Sequence, residues 1–148
     1  MLSQFTESQL YNQDFYAWTQ STAQLLKSQR WGEVDWANLI EEVESMGRAE
    51  KNALKSNLRV VLMHLLKYKY QTEKRSRSWL ATITEHRQRI EDELSDSPSL
   101  KAYLEEVFEQ TYAQARRQAV VETGLPKDAF PELPPFSLAD AISEDFFL

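Results

Sequence analysis

The chain has 148 residues, a formal net charge of −6 and no cysteine, so disulfides and thiolate chemistry are excluded and general nucleic-acid affinity is disfavoured. The length fits one domain, able to bury a core without covalent staples. Residues 1–7 have neither the basic start nor the apolar run of a signal peptide, and the longest purely apolar run, residues 60–63, is far too short to span a membrane. A cytoplasmic location is therefore expected.

Proline is absent from residues 1–97, and the only glycines are Gly32, Gly47 and Gly124. With apolar residues recurring every three or four positions, the pattern predicts helix nearly throughout. The first helix is expected over about 12–30, capped by Asn12 and striped by Tyr11, Phe15, Trp18, Thr22 and Leu25. Gly32 is its expected left-handed stop. Asp35 opens a second helix, 35–46, with Trp36, Leu39, Ile40, Val43 and Met46 as its core stripe. Gly47 is read as a kink or short break before a third, 48–70, striped by Leu54, Leu58, Val61, Leu65 and Tyr68. A fourth, 76–95, carries Trp79, Leu80, Ile83, Ile90 and Leu94. A fifth, 98–123, starts at a Ser97 cap with Pro98 in first position and stops at Gly124. Residues 125–148 hold four of the five prolines and read as an irregular strap with a short helix near 137–142. The expected fold is a single all-α domain over 1–148, a bundle of four to five helices with that strap.

Glu50, Asn57 and His64 lie seven residues apart and form one polar column, since a helix drifts only ~20° per heptad. Arg87 falls close to the line through Ile83, Ile90 and Leu94, with His86 beside it. An inward arginine needs a compensating partner, and Glu50 is the first choice, Glu44 the second. A structural network that fixes helix register is the preferred reading of these groups. The sharper reading is a small pocket with His64 as base or ligand.

No metal site is expected. The Glu-x-x-His motif of di-iron bundles is missing, with Val61 three before His64 and Ile83 three before His86, and His-Glu-x-x-His is missing too. No Gly-x-Ser-x-Gly elbow and no glycine-rich phosphate loop is present. Segment 67–89 places seven cations against two acids, a balance of +5, which leaves −11 for the remainder. Its stretch 67–79 interleaves Lys67, Lys69, Lys74, Arg75 and Arg77 with Tyr68, Tyr70 and Trp79, a mixture that suits phosphate contacts and base stacking. Tyr68 and Trp79 also fall on helix stripes, so an ordinary solvated face is the plainer account.

Residues 36–47, Trp-Ala-Asn-Leu-Ile-Glu-Glu-Val-Glu-Ser-Met-Gly, resemble the bacterial, largely cyanobacterial, "domain of unknown function 29" family. Residues 14–18, 64–68, 75–79 and 97–100 are similar to it too, in order, so the resemblance covers about 11–148. It implies a helical bundle. It implies no activity, substrate, cofactor or catalytic residue, so no role is carried over.

The leading reading is a non-catalytic protein–protein interaction module, self-association included. The second is a nucleic-acid-associated protein using Lys67, Lys69, Lys74, Arg75 and Arg77. The third is an enzyme or metal protein with a polar pocket around His64, Glu50 and Arg87, flanked by His86. An enzyme is not favoured, and no cofactor and no membrane partner is expected.

Overall fold

A computed structural model describes residues 5–146. It is all-α, with six α-helices and no strand among the described residues: α1 Glu7–Gln13, α2 Phe15–Lys27, α3 Trp36–Tyr70, α4 Arg77–Asp96, α5 Leu100–Thr123 and α6 Leu138–Ile142. Packing divides the chain into two units, one ending at Arg48 and one beginning at Ala49.

In the first unit, the single helix expected over 12–30 is two. Thr6 starts α1 with a capping box: its hydroxyl accepts from the Gln9 N–H at 3.1 Å, and the Gln9 side chain accepts from the Thr6 N–H at 2.9 Å. Asp14 then ends α1 and caps α2, accepting from the Ala17 N–H at 3.0 Å. Asn12, the expected cap, lies inside α1 because this earlier box nucleates the helix upstream. The stop after α2 is also not at Gly32. Gln29 takes the left-handed conformation (φ 57°). The Arg30 N–H reaches the Leu25 carbonyl at 2.9 Å and the Gln29 N–H reaches that of Leu26 at 3.1 Å, which is a Schellman closure. Gly32 sits in a 3-10 turn at 31–33.

Asp35 accepts from the Asn38 N–H at 3.4 Å at the start of α3, as its position suggested. The helix then runs unbroken through Gly47 to Tyr70. The expected break is absent because one exposed glycine costs a helix only about 1 kcal/mol, too little to interrupt 35 residues. The stripe assigned to the core on its first turns is largely outside: Trp36 is 46% exposed, Ile40 55%, Val43 55% and Met46 60%.

In the second unit, Leu54, Leu58, Val61, Leu62, Leu65 and Leu66 of α3 are fully buried against Ile83 and Ile90 of α4 and Leu104 and Tyr112 of α5. Ser97 ends α4 rather than capping α5, which starts at Leu100 after a tight turn through Pro98. Gly124 ends α5 with φ 70°. The C-terminal segment is tied down by side chains that donate to its carbonyls: Tyr112 Oη to Pro131 (2.6 Å), Arg116 Nε to Phe130 (3.1 Å) and Arg87 Nε to Ala141 (2.8 Å). Burial pushes the Tyr112 phenol up to about 12, so it stays a neutral donor. Ser137 caps α6, and Phe130, Phe136 and Ala141 are core residues.

An added Cβ at Gly47 meets nothing within 4 Å. Gly47→Ala is therefore expected to raise stability by about 1 kcal/mol in urea unfolding. A loss of stability would show that α3 bends there.

Candidate functional site

The polar residues singled out in the sequence separate into distinct environments. Arg87 is buried, and its partners are carbonyls: Nε donates to Ala141, and Nη2 to Phe146 at 2.8 Å. The expected ion pair with Glu50 is not formed. Glu50 is exposed and takes part in no ion pair among the described residues, and Glu44 is exposed as well. The guanidinium is instead directed at the end of α6 and the turn after it, whose carbonyls accept from it. A recess of about 340 Å³ beside Arg87 is lined by Thr84, Gln88, Glu144 and Asp145; neither His64 nor Glu50 lines it.

Asn57 of the column is paired, and its partner was not foreseen. Its side-chain amide donates to Glu93 Oε1 at 2.5 Å, joining α3 to α4. Burial raises the Glu93 carboxyl above its ordinary value, the Asn57 hydrogen bond opposes this, and nearby Glu50 adds to the rise. Glu93 Oε2 is buried without a hydrogen-bond partner among the described residues. In sequence, Glu93 passes for one more surface acid beside Glu91 and Asp92.

His64 is half-buried, and its Nδ1 lies 2.9 Å from the Val60 carbonyl. His86 repeats that arrangement with the Thr82 carbonyl at 2.9 Å. A carbonyl only accepts, so in both rings Nδ1–H is the donor. Burial lowers the His64 pKa, the Val60 hydrogen bond and Glu122 oppose this, and Lys67 and His86 lower it further. No group of three or more metal-ligating side chains exists among the described residues.

The basic segment is largely engaged with its own aromatics. Lys67 pairs with Glu122 at 3.3 Å, and its ammonium lies 4.8 Å from the centre of the Trp79 ring. Arg75 lies 4.2 Å from the Tyr68 ring centre and donates to the Tyr68 carbonyl at 2.6 Å. Lys69 stands 5.8 Å from the Tyr70 ring centre. A base stacking on these rings would first have to displace a cation. Lys74 and Arg77 are exposed.

A concave surface lies in the first unit. Phe15, Trp18, Thr22 and Leu26 of α2 face Leu39, Glu42 and Met46 of α3 across a groove of about 450 Å³ with an almost wholly apolar lining. Tyr11 of α1 donates to the Glu42 carboxylate, and that bond raises the Tyr11 pKa. Ser21 of α2 donates to Glu7 of α1 at 2.8 Å. The two bonds tie α1 to α2 and α3. Trp18 is buried, edge-on to Tyr11 and stacked with Phe15. Its indole Nε1 and the Thr22 hydroxyl are buried with no hydrogen-bond partner among the described residues. The sequence stripes marked these side chains as core. They are core on one side and groove wall on the other, which periodicity does not distinguish.

An all-α chain with a closed leucine-rich core and an open apolar groove on its first helices is the class defined so far. Residues 10–147 match the family described as "Domain of unknown function DUF29", and the chain belongs to that family. No curated protein and no solved structure matches the chain. No helix among the described residues is long and apolar enough to cross a membrane.

The Glu93 carboxyl is raised in the folded state. Its contribution to stability is thus complete below the unfolded-state pKa and is lost as pH rises through the folded value. Glu93→Gln is expected to raise the urea midpoint at pH 7, with the gain vanishing below about pH 4. A lower midpoint at pH 7 would contradict this. His64 has the opposite sign: its contribution is present above about pH 6.5 and is lost as pH falls through its lowered folded value. His64→Gln is expected to flatten the acid side of the stability profile; an unchanged slope there would contradict the assignment.

Proposed function

We propose that this protein is a non-catalytic protein–protein interaction module and that its partner-facing surface is the apolar flank of the first unit. One observation carries the reading. Of the ten large hydrophobic side chains exposed among the described residues, eight precede Arg48, and only Val121 and Leu133 lie elsewhere. Four of the eight, Trp36, Ile40, Val43 and Met46, follow one another along α3. Concentrated apolar exposure of this kind is costly in water and marks surfaces that a partner covers. Trp36 and Trp31 lie side by side with tilted rings, centroids 6.5 Å apart, and supply the large rigid area typical of interface anchors.

The test is site-specific photo-cross-linking in the protein's own host cells. A photoreactive residue at Ile40 or Val43 is expected to give one recurrent discrete adduct, while the same residue at exposed Glu105 of α5 gives none. Introducing Trp36→Ala alongside the label is expected to cut the adduct at least tenfold. Equal labelling at all three positions, or none at any, would contradict the reading.

A further inference from the structure

The groove between α2 and α3 has the shape of a missing helix. Its α2 wall is built from Phe15, Trp18, Thr22 and Leu26, at helical spacing, and spans about 16 Å at 1.5 Å per residue. Its α3 wall repeats the spacing with Leu39, Glu42 and Met46. Two helices that present apolar faces to one open trough leave room for the apolar face of a third, about three turns long.

Charge selects among occupants. The first 48 residues hold seven acids and three bases. Two of those bases are already paired, Arg30 with Glu33 at 2.5 Å and Arg48 with Glu41 at 2.7 Å. Glu42, which accepts from Tyr11, is the one charged residue in the groove wall. The trough is therefore apolar with a single carboxylate in its wall, in a stretch of net charge −4. A second copy offers no matching helix among the described residues. Its most basic helical stretch, residues 51–69 of α3, turns Leu54, Leu58, Val61, Leu62 and Leu65 into its own core.

Resting on the interaction reading above, we infer that the α2/α3 groove receives a basic amphipathic helix from a different protein. The partner inserts aliphatic side chains at three- and four-residue spacing between Trp18, Thr22 and Met46, and sets a lysine or arginine against Glu42. Docking buries the exposed flanks of Phe15 and Met46, and the cations shorten encounter times in a salt-dependent way.

The experiment uses the full chain and three synthetic 16-residue peptides: a Leu/Lys amphipathic helix, its Leu/Glu counterpart, and a scrambled Leu/Lys sequence. Binding is read by calorimetry and by methyl NMR shifts. The Leu/Lys helix is expected to bind one-to-one, shift Met46 and Ala23, and weaken as salt rises. The other two are expected to bind at least tenfold more weakly. Ala23→Arg plugs the trough and is expected to cost at least tenfold, as is Met46→Lys at a site that is 60% exposed and so tolerant of substitution. Gln20→Arg adds the same charge on the exposed side of α2, outside the groove, and is expected to change affinity less than twofold.

Equal binding of all three peptides, or indifference to both groove substitutions, would overturn the inference. So would a dimer that Ala23→Arg dissociates, or a small apolar molecule retained in native mass spectrometry and lost in Ala23→Arg; each would identify another occupant. If the peptides fail while the cross-link at Ile40 persists, the groove assignment falls and the interaction reading stands. If both fail, both fall.

Discussion

The burial of apolar side chains along α3 governs this structure. From Leu54 to Leu66 the helix is enclosed, with six leucines and valines at zero exposure. Removing one such leucine would cost about 2–5 kcal/mol, which makes this stretch the energetic centre of the chain. Between Trp36 and Met46 the same helix keeps its large apolar residues in contact with solvent. Helix formation does not require that face to be covered, because the backbone bonds of α3 are satisfied internally. The uncovered turns are thus affordable to the fold and available to a partner.

The polar groups of the interior serve that core. Arg87 satisfies carbonyls of the C-terminal segment, and Arg116 and Tyr112 do the same at Phe130 and Pro131. These bonds pin a proline-rich strap that could not supply its own backbone ladder. The Asn57–Glu93 bond fixes α3 against α4. A register bond of this type is worth little in net energy, but mispairing it would bury an unsatisfied carboxylate.

Much of the fold was legible because helix signals are local. Gly124 and Asp35 act where their chemistry placed them, since a cap involves residues three or four apart. The misplacements have equally local causes. Gln29 carries the left-handed turn that glycine was expected to take, and the Thr6–Gln9 box starts the chain earlier than Asn12 would. What could not be read was which apolar stripe finds a cover. Trp36, Ile40 and Val43 have the same spacing as Leu54, Leu58 and Val61, and only tertiary packing separates them. One partner of Arg87 lies 54 residues away at Ala141, a pairing no spacing rule reaches.

Methionine oxidation tests the central claim most directly, because Met46 and Met63 sit on one helix with opposite environments, 60% and 4% exposed. In the free, folded chain under mild peroxide, Met46 should convert to the sulfoxide at least tenfold faster than Met63. Equal protection of the two would mean that the first turns of α3 are already covered, and the surface on which the functional reading stands would not exist.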